Sequence, residues 1–168
     1  ETFESGDMVF YTRARLITKN RIGFWRSELL EGTRTVKYVF SVQAKNTKHV
    51  LPPNMKLPKK PLEYYPQDLH VWLKSTDIIQ SGASAMKRQL TRIVGRNNRD
   101  MLEVNKKIYD FVRQKVEYRS EIGSKDALAT LSEMKADCGG KARLFVALSR
   151  AAGIPSRLVG GIIMKEEV

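Results

Sequence analysis

The run Ala136-Asp137-Cys138-Gly139-Gly140-Lys141-Ala142-Arg143-Leu144-Phe145 contains the single cysteine of the chain. A helical pattern starts there, with Ala142, Phe145, Val146, Leu148 and Ala152 as its apolar side. Gly153 ends it in the C′ position and Pro155 prevents its continuation. Asp137 is then the natural N-cap, and Cys138 opens the helix. Unpaired N–H groups and the positive end of the helix dipole favour a thiolate over a thiol there. The same N–H groups can hold the oxyanion of a tetrahedral intermediate. Gly139 and Gly140 carry no side chain to shield the sulfur, so a substrate is expected to approach closely. A lone cysteine is often only a small buried hydrophobe. Such a residue sits more often within the apolar stripe of a helix than at its first turn, which makes Cys138 a candidate nucleophile.

The order of residues around it extends the reading. Asp137-Cys138 through Leu144-Phe145, then Leu148, Arg150-Ala151-Ala152-Gly153-Ile154-Pro155, Arg157 and Val159-Gly160, resembles the transglutaminase-like superfamily. The helix Ile108 to Val112 followed by Val116-Glu117-Tyr118, and the small linking helix around Ala127 to Leu131, fit the same pattern. The resemblance is close from about residue 100 to 164 and looser from Ile78. It implies a papain-like cysteine enzyme acting on amide bonds of a protein or peptide substrate, as a protease, amidase or acyl transferase working through a thioester on Cys138. Ala136 stands where the family usually has glycine, a departure that matters only if that backbone needs positive φ.

The resemblance also implies a histidine and an aspartate on strands that follow the cysteine helix. The histidines of this chain, His49 and His70, both precede it and read as surface or packing residues. Glu166 and Glu167 are terminal and do not make a third catalytic member. A thiol without a base loses most of its catalytic advantage. The expectation is therefore a chain cut before the remaining catalytic strands, inactive alone, whose missing C-terminal part belongs to the same protein. Two other readings compete: a non-catalytic binding module on the same scaffold, attached to a membrane protein, and a basic polyanion-binding domain with an incidental cysteine.

The 168 residues can bury a core without disulfides or metal, and 42% hydrophobic with 29% charged residues is an ordinary globular composition. No stretch approaches the roughly 18 apolar residues of a membrane span. One cysteine excludes an internal disulfide, which suits a bacterial extracytoplasmic domain, favoured here, as well as a cytosolic protein. The net charge of +12 and pI near 9.9 read first as a solvated basic face, with an anionic surface or polymer as the alternative partner. The basic residues are nevertheless scattered, and no nucleic-acid-binding motif is visible. No acidic loop has calcium-ligand spacing, so neither metal nor cofactor is expected.

The elements that must position Cys138 fall into two regions. Residues 8–16 and 33–42 alternate as strands, with a turn at Asn20 to Gly23. Five prolines between residues 45 and 69 argue against a regular helix or central strand, and His70 to Leu73 reads as a short extended segment. Helices follow over 84–94, ending at Gly95, and over 99–117, with Met101, Val104, Ile108, Phe111, Val112 and Val116 inward. A third runs from a Ser124 cap to Met134, buried by Ala127, Leu128 and Leu131. Ser156 to Met164 reads as a strand interrupted at Gly160-Gly161. The fold class is α+β: an antiparallel β region over 1–80, then the helical, nucleophile-bearing half of a papain-like core over 81–168.

Overall fold

The computed structural model describes residues 2–4, 9–14, 21–26, 37–39, 48, 50, 52 and 54–161. Contacts divide the chain into two units, Glu1–Val50 and Leu51–Val168, so the division falls ahead of the one at residue 80 expected from the sequence.

The first unit holds strands β1 (Thr2–Glu4), β2 (Val9–Ala14), β3 (Arg21–Arg26) and β4 (Lys37–Val39). All pairing described is antiparallel: β1 with β4 through Phe3 opposite Tyr38, and β2 with β3 from Val9 opposite Arg26 to Ala14 opposite Arg21. The turn expected at Asn20 to Gly23 is corrected from Arg21 onward. Arg21, Ile22 and Gly23 are ladder residues, because the run Ile22-Gly23-Phe24-Trp25 carries strong strand formers that match the alternation of β2. Most of the strand expected over 33–42 lies outside the described residues, apart from β4.

The second unit is helical. One turn, α1 (Pro61–Tyr64), starts on Pro61, where a missing N–H costs nothing. A 3₁₀ helix over Gln67–Trp72 replaces the extended segment expected at His70 to Leu73. Pro66 fixes its own φ at −54°, and its carbonyl accepts the Leu69 N–H at 2.9 Å, so the chain coils where apolar alternation suggested extension. Then come α2 (Ser84–Val94), α3 (Met101–Lys115), β5 (Glu117–Tyr118), α4 (Ala127–Glu133), β6 (Lys135–Ala136) and α5 (Cys138–Ala151). Gly95 ends α2 at φ 83°, and Gly153 does the same beyond α5.

Helix α3 is shorter than its periodicity suggested, for reasons at each end. Asp100 caps it by accepting the Glu103 N–H at 3.0 Å, and the preceding Arg99 is bound by backbone and guanidinium to Leu57. At the other end Glu117 and Tyr118 leave the helix to pair in parallel with Lys135 and Ala136. Helix α4 is thus the crossover of a small β–α–β unit that delivers the chain to Cys138. Its cap is Asp126, which accepts the Ala129 N–H at 2.8 Å, and not Ser124, whose hydroxyl is engaged elsewhere.

The core of this unit is Met86 of α2, Val104 and Ile108 of α3, and Leu144 and Leu148 of α5, all fully buried. Burying each such side chain contributes about 1.5–3 kcal/mol. Helix α5 is the central element, packed by α2, α3 and α4. The single apolar stripe expected for it therefore needs correction: Leu144, Ala147 and Ser149 are buried too, whereas Ala142 is exposed and Phe145 only half-buried. The strand expected from Ser156 is absent over residues 156–161, and the remainder lies outside the described residues. No helix among the described residues is long and apolar enough to cross a membrane.

Candidate functional site

Cys138 is the first residue of α5 and is exposed to solvent. Its placement follows from the residues behind it. Asp137 is the N-cap: one carboxylate oxygen accepts the Gly140 N–H at 2.7 Å, the other the Ser124 hydroxyl at 2.6 Å. These bonds hold the Asp137 carboxyl below its usual range, the Ser124 hydroxyl first, then the Gly140 N–H, with partial burial opposing and the Arg143 charge assisting. A carboxylate next to a thiol disfavours the thiolate. Here both of its oxygens are turned onto donors other than the sulfur.

Ser124 is in turn fixed by Arg143, whose Nη1 donates to the carbonyls of Ser124 at 2.8 Å and Lys125 at 3.1 Å. One turn of α5 thus holds the loop whose hydroxyl holds the cap. Lys141 anchors the other flank, donating from Nζ to Val116 O at 2.9 Å at the end of α3. Sequence reading missed Ser124, Arg143 and Lys141 in these roles. Each acts on a partner distant in the chain and leaves no local pattern.

The glycines have a different purpose from the one expected. A Cβ on Gly139 would lie 2.3 Å from Ser124 Oγ, and one on Gly140 would lie 2.7 Å from Ala136 Cβ and 2.9 Å from Thr130 Oγ1. They allow the start of α5 to press against the loop and β6, on the protein side of the helix. Ala136 itself is buried in β6 and is not a positive-φ residue, so its departure from glycine brings no backbone strain.

The oxyanion donors also narrow. The Gly140 N–H is taken by Asp137, whose carboxylate also draws on the Gly139 N–H, and the Lys141 N–H by the Asp137 carbonyl, which leaves the N–H of Cys138 itself without a partner among the described residues. No described side chain hydrogen-bonds the sulfur. His70 binds the Tyr65 carbonyl through Nε2 at 2.8 Å, a packing role, while His49, Glu166 and Glu167 lie outside the described residues. The described residues contain no cluster of three or more His, Cys, Asp or Glu that could hold a metal ion.

One turn beyond Cys138, Lys141 and Ala142 begin an apolar cleft of about 450 Å³, walled by Tyr109, Val112, Phe145 and Leu158. The segment that forms its far wall is tied down by three contacts. The Ser156 N–H donates to Trp72 O at 3.0 Å, and Arg157 stands 5.8 Å from the centre of the Trp72 ring. The buried Arg150 reaches Ser156 O at 2.9 Å and Lys74 O at 2.7 Å.

The family model of the transglutaminase-like superfamily matches residues 88–168, from α2 through the cysteine helix and onward. Over these residues, a little under half of its length, the chain is similar to the transglutaminase-like superfamily. A crystal structure from Cytophaga hutchinsonii, of a proposed cysteine protease, superposes with a TM-score of 0.53 at 24% identity. The match covers 60% of this chain and 34% of that one, so this chain spans about a third of that protein's length. It shows that the two chains share a fold over the matched part. No curated protein matches the chain.

Proposed function

We propose that this transglutaminase-like domain is the nucleophile half of a cysteine enzyme that cleaves or transfers at amide bonds. The single observation that carries the reading is Cys138 at the exposed first position of a capped helix, with its own N–H unpaired beside the sulfur. The sulfur attacks the carbonyl carbon of a glutamine side chain or peptide bond. A C–S bond forms, and the oxyanion is received at the helix N-terminus. The thiol proton passes through a base to the departing nitrogen as the C–N bond breaks, and water or an amine then opens the thioester. The substrate is a protein or peptide, and the cleft beyond Ala142 is suited to an apolar side chain next to the scissile bond.

No described side chain hydrogen-bonds the sulfur, and without a base at hand the chain by itself is not expected to turn over amides. An ester with a good leaving group needs no proton on departure and separates the two steps. Incubation with p-nitrophenyl acetate should acylate Cys138, seen by intact mass, faster than the same thiol in urea-unfolded chain, and not at all in Cys138→Ala. Casein cleavage and amine incorporation should both be absent. Ester acylation no faster than in the unfolded chain would remove the nucleophile assignment. Amide turnover lost in Cys138→Ala would show a base among residues taken here to lack one.

A further inference from the structure

Helix α2 carries charge of one sign only. No Asp or Glu lies between Asp77 and Asp100, while Lys87, Arg88, Arg92 and Arg96 do, besides Arg99, which is bound to Leu57. All four are exposed, and among the described residues none forms an ion pair. Helix α3 behaves otherwise: Lys106 pairs with Asp110 and Lys107 with Glu103. Arg88 and Arg92 are also one turn apart, a like-charge spacing that weakens a helix. Among the described residues no carboxylate pairs with them.

The two arginines stand at the rim of a groove of about 390 Å³, whose floor is Phe111 of α3 with Leu131 and Met134 at the end of α4. All three floor residues are half-buried, so apolar surface remains open beneath a cationic edge. This combination selects its occupant. A flat anionic membrane would reach the guanidinium groups but not the floor, and a nucleic-acid base could stack on Phe111 but gains little from the aliphatic Leu131 and Met134 beside it. An acidic polypeptide segment with one apolar side chain meets both: carboxylates pair with the planar forks of arginine, and the apolar side chain enters the groove, where methionine adapts to its shape.

We propose that the α2–α3–α4 groove is a docking surface for an acidic peptide segment bearing an apolar anchor. Cys138 does not line it, and the proposal stands independently of the nucleophile assignment. The probe is a fluorescein-labelled twelve-residue peptide of Glu and Asp with one central Leu, followed by anisotropy on the whole chain. Arg88→Glu/Arg92→Glu should raise Kd about tenfold or more, whereas Lys59→Glu/Lys74→Glu, the same change in net charge elsewhere, should change it by about twofold at most. Replacing the peptide's Leu by Ser should weaken binding to the native chain about tenfold. Arg88→Gln/Arg92→Gln gives the same comparison with a smaller fall if the reversed pair does not fold. Equal losses in the two charge-reversed variants, or equal affinity for the Leu and Ser peptides, would reduce the effect to diffuse attraction and overturn the proposal. So would absence of peptide binding, including the case where phosphatidylserine vesicles bind and are lost with Arg88→Glu/Arg92→Glu, since the surface would then be a membrane contact.

Discussion

Replacing Gly140 with alanine should destabilise the protein although alanine is the better helix former. In a freely exposed helix the exchange gains about 0.5–1 kcal/mol. At Gly140 the added methyl would stand 2.7 Å from Ala136 Cβ and 2.9 Å from Thr130 Oγ1. An ordinary carbon contact is about 3.5–4.0 Å. Ala136 and Thr130 are each fully buried, so neither can swing into solvent. Relief must come from moving the start of α5, and overpacking of this kind costs about 1–3 kcal/mol. Set against the helix gain, a net loss of up to about 2.5 kcal/mol follows, seen in urea unfolding as a lower midpoint at unchanged slope. Ala136→Gly removes the shorter of the two contacts. Gly140→Ala should therefore be milder in that background, with a coupling of about 0.5–1.5 kcal/mol in favour of the double variant. Additivity to within about 0.3 kcal/mol would refute the proposed contact, as would any stabilisation by Gly140→Ala alone.

Two further perturbations test the supports of the cysteine helix. Arg150→Met keeps the apolar stem but leaves the carbonyls of Lys74 and Ser156 without their donor, which should destabilise by about 2–4 kcal/mol in denaturant unfolding. Arg150→Lys should recover less than half of that, since an ammonium cannot reproduce the fork; full recovery would mean that charge alone matters there. Ser124→Ala removes the largest cause of the depressed Asp137 pKa, so the Asp137 carboxyl, followed by NMR, should titrate closer to its ordinary range. A depressed folded-state value means that Asp137 contributes stability above its unfolded pKa and loses it as pH falls through the lower folded one. Acid unfolding of Ser124→Ala should accordingly show a smaller Asp137-dependent loss, and an unchanged Asp137 titration would contradict the hydrogen bond.

Helix α2 and the inward stripe of α3 were legible because each element lies on the outside of the bundle and buries one face. A period of 3.6 residues reports that arrangement directly. Helix α5 was legible in its limits, from Asp137 to Gly153, because capping and termination are local chemistry. Its burial was not, because an element surrounded by three others has no single apolar side. The same distinction explains Ser124. Its position ahead of an apolar run matched a helix cap, but Asp126 is nearer the first free N–H of α4, and the hydroxyl bonds Asp137 instead.

For the site, the order Asp-Cys-Gly-Gly at a helix start determined by itself which residue is the candidate nucleophile and which residue caps it. That is short-range information carried by residue type. What tertiary structure decided is everything that holds the sulfur in place: Arg143 on the 124–125 carbonyls, Ser124 on Asp137, Lys141 on the end of α3, and two glycines pressed against Ser124, Ala136 and Thr130. A glycine reads the same in sequence whether it admits a substrate or a neighbouring strand. The space a missing side chain leaves belongs to whatever packs there, and only the folded chain brings β6 and the Ser124 loop to that point.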